Sequence, residues 1–156
     1  AEGTLITAKL SGEGIKAIAA KDGITAIKIK SGRMLLAYGF LRKVFEIFES
    51  YKTPIDMITT SEVAVSVTID DTTNLDKILA DLNEFGTVEV DPDQSIVCIV
   101  GDFTSPKTGI ANEVFEALKQ TPIRMISYGG SNHNISILIN SSDTKSALQA
   151  LNNHLF

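Results

Sequence analysis

The sequence predicts an α+β fold: two ferredoxin-like units in tandem, each a four-stranded antiparallel sheet with two helices on one face, the first unit inserted into the second. Three observations predict it. One long segment is written twice, and within each copy the apolar spacing switches between the helical and the strand period. The second copy then ends one strand short, while an unused strand stands at the front of the chain.

The copies are "GFLRKVFEIFESYKTPIDMITTSEVAVSVTI" from Gly39 and "GIANEVFEALKQTPIRMISYGGSNHNISILI" from Gly109. Gly39, Val44, Phe45 and Glu46 recur as Gly109, Val114, Phe115 and Glu116, and "TPIDMI" recurs as "TPIRMI" after a slightly shortened helix. Ahead of the first copy, "ITAIKIK" alternates apolar and polar residues as a half-buried strand does. Leu41, Val44, Phe45 and Phe48 then fall on one helical face, which predicts a helix from about Phe40 to Tyr51 with that stripe in the core. Thr53-Pro54 blocks its continuation, since proline disfavours the helical region for the residue before it. "IDMIT" and "VAVSVTI" follow as two strands joined near Ser61-Glu62. Leu75, Ile78, Leu79, Leu82 and Phe85 mark a second helix, and "TVEVD" a fourth strand.

The second copy opens on "SIVCIVGD" and continues through a helix from Ile110 to Gln120, the strands "IRMIS" and "NISILI", and a last helix carrying Ala147, Leu148 and Leu151. A missing strand would leave an open apolar edge, so "GIKAIAA" is expected to pair back into this unit. The domains read as 24–90 for the first unit, 15–20 with 94–156 for the second and 1–14 for a junction, with "DPD" at Asp91 to Asp93 as a turn that joins the units.

Composition narrows the partners. A chain of 156 residues that is 44% hydrophobic is expected to be globular. Its net charge of -5, with scattered Lys and Arg, argues against nucleic acid, whose phosphates call for a basic stripe, and against acidic membrane. Small neutral or zwitterionic partners fit better. No apolar run approaches a membrane span and no signal peptide opens the sequence. Cys98 is the single cysteine, which excludes an intramolecular disulfide, predicts a reducing cytoplasmic setting, and reads as a small buried hydrophobe. Ala1 rather than Met opens the sequence, which predicts a processed chain or a piece of a longer one. His133 and His154 have no Cys or carboxylate at ligand spacing, so no metal site is expected.

Asp56 is the residue that asks for an explanation. It lies between Ile55 and the apolar pair Met57 and Ile58, where an unpartnered carboxylate is costly.

"GFLRKVFEIF", "IDMITTSEV", "GIANEVFEAL" and "IRMISYGGSNHNISILI" together resemble the C-terminal regulatory region of aspartate kinase, a tandem pair of ACT domains, most closely of the lysine-sensitive monofunctional type. The resemblance covers nearly the whole chain. It implies no catalysis and no cofactor here, a kinase domain N-terminal in the parent that uses ATP and Mg, homodimerisation through the ACT units, and lysine bound at the first unit between two chains as feedback inhibitor. By resemblance Met34, Ala37, Gly39, Phe40, Leu41, Ile55, Asp56, Thr60, Ser61 and Glu62 stand at ligand-lining positions.

Elementary chemistry agrees with that assignment. A free amino acid needs anion donors beside an acid; the helix opening at Gly39, Phe40 and Leu41 offers N–H groups, and Asp56 an ammonium acceptor. Glu62 would take the second ammonium of lysine, and Thr60 and Ser61 add polar contacts. In the second copy Arg124 replaces Asp56, which predicts a first unit that binds and a second that assembles. Ala37 stands where the family often carries Ser, which leaves open an ACT dimerisation module with no retained ligand; a module sensing threonine is a separate alternative. Asp56 also reads as a strand-end carboxylate paired with a nearby Lys, and Glu62 as a solvated turn residue. A small acyl phosphate hydrolase is the competing class, with Arg33 and "SNHN" as its residues, although these belong to different repeats.

Overall fold

The computed structural model describes residues 14–31, 38–103 and 109–156. In chain order the elements are β1 (Gly14–Lys30), α1 (Phe40–Ser50), β2 (Ile58–Thr60), β3 (Ala64–Ile69), α2 (Leu75–Asn83), β4 (Thr87–Asp102), α3 (Ile110–Ala117), β5 (Met125–Ser127), β6 (Asn134–Asn140) and α4 (Thr144–Leu155). They form one six-stranded sheet in the order β2-β3-β1-β4-β6-β5, with every neighbouring pair antiparallel.

Two strands organise everything else. β1 spans 17 residues and β4 spans 16, so segments that read as four separate strands are two long ones. Gly23 and "DPD" look like breaks because Gly and Pro usually punctuate strands. The turn expected at Asp91 to Asp93 is instead an irregularity inside β4. Lys21 pairs with Ile96, Ile24 with Gln94 and Ala26 with Asp91, and the register shifts on both sides of Ile24. Gly23 (φ 75) and Asp93 (φ 57) occupy the same place in the two repeats and absorb this bulge in left-handed conformation. Beyond it, Ile18, Ala19 and Ala20 pair with Ile99, Cys98 and Val97.

Each end of the long pair carries its own core. Ile27 and Ile29 of β1 pack with Val65, Val67 and Ile69 of β3 beneath Phe40, Val44 and Phe48 of α1 and Ile78 and Leu82 of α2. At the other end Val97 and Ile99 of β4 pack with Ile135, Ile137 and Ile139 of β6 beneath Val114 of α3 and Ala147 and Leu151 of α4. A third cluster, Ile24, Ala26, Met57, Ile96, Met125 and Leu138, draws on no helix. Ala26 precedes Ile27, so this cluster lies on the opposite face of the sheet. The sheet curls around it so that its two end strands, β2 and β5, approach each other without pairing.

The stripe expected in the core of α1 divides. Val44 and Phe48 are buried, as is Phe40, whereas Leu41 and Phe45 keep 40% and 42% of their surface exposed. The burying face of α1 is therefore rotated toward Phe40, which rests edge-on against Phe85 at a ring-centroid distance of 5.6 Å.

Because β1 and β4 each serve both cores, damage to one core should be felt by both. Ile27→Ala and Ile137→Ala, each deleting a fully buried side chain, should cost ~2–5 kcal/mol and shift one common unfolding transition. Denaturation followed by circular dichroism checks this, and two separate transitions would contradict it.

Candidate functional site

Asp56 precedes β2 and is held there from three sides. Its backbone N–H donates to the Thr68 carbonyl at 2.9 Å, and the next residue, Met57, exchanges hydrogen bonds with Thr68 through both backbone and hydroxyl. Met57 points into the third apolar cluster, which turns the neighbouring Asp56 side chain outward. There the Lys21 ammonium meets Asp56 Oδ1 at 2.8 Å and Asp70 Oδ2 at 2.7 Å. Hydrogen bonding to Asp56, and then to Asp70, raises the pKa of Lys21 above its ordinary value. The same ammonium lowers that of Asp70. Sequence reasoning missed Lys21.

A signal for it was present in the repeat. Lys21 and Asp91 stand at equivalent positions of the two long strands, as Asp56 and Arg124 do before the two short ones. Arg124 bonds Asp91 through Nε at 2.8 Å and through a terminal nitrogen at 2.5 Å, and its backbone N–H donates to the Leu138 carbonyl at 2.8 Å. The two halves thus carry the same ion pair with its charges exchanged.

The remaining site residues divide between the two ends of α1. Gly39 opens the helix in left-handed conformation (φ 85), and among the described residues no side chain caps it and no acid lies in the first turn. Gly109 repeats this geometry (φ 103), but Glu113 sits in the first turn of α3. The N-terminus of α1 is therefore the better anion site of the two. Thr60 and the exposed Ser61 and Glu62 lie at the same end, because Thr60 pairs with Val65, Ser61 N–H donates to the Ala64 carbonyl, and Ser31 at the end of β1 donates to the Val63 carbonyl. Ser61 and Val63 border a pocket completed by Lys28, Lys30, Thr87 and Glu89. Ile55 and Asp56 lie at the far end, level with Thr68 and one helix length, about 16 Å, away. The expectation that Asp56 sits beside the helix opening is not met within one chain: Asp56 is level with Thr68, whereas Thr60 is level with Val65 at the other end of β3. Met34, Ala37 and Arg33 lie outside the described residues.

The "SNHN" segment serves the backbone: the His133 and Asn132 carbonyls accept from Gly101 and Phe103. Among the described residues no group of His, Cys, Asp and Glu could hold a metal, and no helix is long and apolar enough to cross a membrane.

A family model described as an ACT domain matches residues 97–155. Lysine-sensitive aspartokinase 3 of Escherichia coli K12 is 34% identical over 165 residues, covering 100% of this chain and 37% of that protein. A solved candidate C-terminal regulatory domain of aspartate kinase from Porphyromonas gingivalis W83 superposes with a TM-score of 0.81 at 53% identity, covering 90% of this chain and 96% of the other. The chain belongs to the aspartate kinase regulatory domains. E. coli aspartokinase III in complex with lysine and aspartate also superposes, with a TM-score of 0.80 at 35% identity, over 91% of this chain and 33% of that one. This regulatory domain thus spans about a third of the curated relatives, 37% of the E. coli protein and 29% of the aspartokinase of Schizosaccharomyces pombe.

The ion triad of this aspartate kinase regulatory domain sets a pH window. A raised Lys21 pKa contributes stability that is present below the ordinary lysine pKa and lost as pH rises through the raised one. A lowered Asp70 pKa contributes stability present above the ordinary carboxylate pKa and lost as pH falls through the lowered one. The difference in Tm between the parent and Lys21→Gln should therefore be flat from about pH 5 to about pH 9 and shrink in strong acid. Thermal melts across that range check it.

Proposed function

We propose that this chain is the effector-sensing region of an aspartate kinase, that its effector is free lysine, and that the effector sits between the first units of two copies. One observation carries the reading: the ammonium acceptor Asp56 and the anion donors at Gly39, Phe40 and Leu41 lie at opposite ends of the edge strand β2. A second copy adding its own β2 antiparallel across a twofold axis at Ile58 brings Asp56 of one chain to the Thr60 end of the other. The separation within a chain then becomes proximity between chains. Carboxylate to the α1 N-terminus, one ammonium to Asp56 and the second to Glu62 is a pattern that fits lysine; threonine has no second ammonium. Support for the pairing comes from the surface around β2, where Tyr38, Leu41, Phe45, Ile58 and Val63 are all exposed. In the second half the counterpart Phe115 is instead packed against its core.

In this reading 24–90 is the effector-binding ACT unit, and 15–20 with 94–156 is a second ACT unit that supports assembly. The kinase domain, with its ATP and Mg, precedes both in the parent, and lysine acts on it as feedback inhibitor. The complex of the E. coli relative with lysine and aspartate supports lysine as the effector.

Isothermal titration tests it. Asp56→Asn should weaken lysine binding by about thirtyfold or more, the loss of ~2 kcal/mol expected when one partner of a shielded ion pair is removed. Arg124→Ala should leave binding nearly unchanged. Threonine binding without lysine binding would overturn the effector. A species of 16.8 kDa in sedimentation, with and without saturating lysine, would overturn the site between copies.

A further inference from the structure

The cation that occupies Asp56 is itself the ammonium of a lysine. Lys21 Nζ sits 2.8 Å from the carboxylate that the effector reading assigns to an incoming ammonium, so the chain carries an internal stand-in for its own effector. Two ammonium groups held on one small carboxylate repel each other, so an effector arriving at Asp56 meets Lys21 first. Lys21 does not have to be stranded when it leaves. Its side chain is about half exposed, and its second contact, 2.7 Å to Asp70 Oδ2, lies on a carboxylate that the effector does not need. The neighbouring acid, Asp22, is occupied by the hydroxyls of Ser95 and Thr144.

The second half supplies an internal comparison. Its cation, Arg124, stands on the edge side and its acid, Asp91, on the long strand, and the position equivalent to Asp70 is Asn140, whose side chain accepts from Ser142. A cation displaced there would find no second carboxylate at that place. Among the described residues, the bridging of one cation between two carboxylates by direct contact at this place is seen in the first half, where Lys21 meets both Asp56 and Asp70.

We propose that Lys21 is an affinity-setting residue that works by exchange: it holds Asp56 in the free chain, and the effector ammonium takes Asp56 while Lys21 withdraws onto Asp70. The inference rests on the reading of Asp56 as the effector's ammonium acceptor. The exchange makes and breaks only ion pairs, and it lets the site remain paired in both states. Effector affinity is then the difference between two ammonium contacts with the same carboxylate, which keeps binding weaker than an unoccupied acid would give.

Titrating the whole chain with free lysine distinguishes this from a purely supporting role. Lys21→Gln, which removes the competitor, should bind lysine about two- to fivefold tighter. Asp70→Asn, which removes the place of retreat and leaves Lys21 bound to Asp56, should bind more weakly. Lys21→Arg keeps a resident cation and should bind as the parent does. If Lys21 merely oriented Asp56, both Lys21→Gln and Asp70→Asn would weaken binding. Lysine binding that is lost in Asp56→Asn but no tighter in Lys21→Gln, or tighter in Asp70→Asn, overturns the exchange while leaving the effector reading intact. A parent chain that does not bind lysine overturns both.

Discussion

The antiparallel pairing of β1 with β4 is the contact on which the rest of the molecule depends. Each half draws on both long strands. The first needs the opening residues of β4 beside Ile27 and Ile29, and the second needs the opening residues of β1 beside Val97 and Ile99. Each helix pair then covers a sheet built from both long strands. The alternation of side chains fixes how they meet, because a slip of one residue would carry Ile27 and Ile29 to the wrong face. Two left-handed residues, Gly23 and Asp93, pin that register at the middle.

Charge is distributed around the same midpoint. Lys21 and Asp91 flank the bulge from opposite strands, and each anchors the segment leading into one short edge strand, β2 through Asp56 and β5 through Arg124. Exchanging the signs preserves both anchors while making the two ends chemically different. The segment before β2 thus presents a carboxylate and the one before β5 a guanidinium. The helix openings differ in the same sense: α1 presents its N-terminal dipole without an acid in its first turn, and α3 sets Glu113 there. Two halves with one backbone plan therefore differ in what they attract, and the difference rests on a few side chains.

Most of the element order was legible because the repeat aligned weak signals with one another. Gly39 with Gly109 located both helix openings, and "TPIDMI" with "TPIRMI" located both edge segments. The long strands were not legible, since Gly23 and Pro92 carry the residue types that usually end strands, and only the pairing across the sheet shows that the chain continues straight. The exposure of Leu41 and Phe45 was also hidden. A helical stripe fixes which residues share a face, whereas Phe40, placed one residue away, decides how that face is turned toward the core. Asp56 stood out from sequence by its apolar neighbours, but its partner lies 35 residues earlier, across β3 and β1. Comparing Lys21 with Asp91 and Asp56 with Arg124 as two pairs, instead of one residue with its counterpart, was the available route to it.

Two strands that run unbroken through both halves also leave no linker on which the halves can hinge. A hinge needs a few residues whose dihedral angles change at little cost, and the middle of this molecule is hydrogen-bonded sheet on either side of a bulge. Opening an angle between the two cores would strip ladder bonds from β1 and β4 together. A force applied at the β2 edge therefore tilts the body as one piece, and the second helix pair, α3 and α4, is carried with the first.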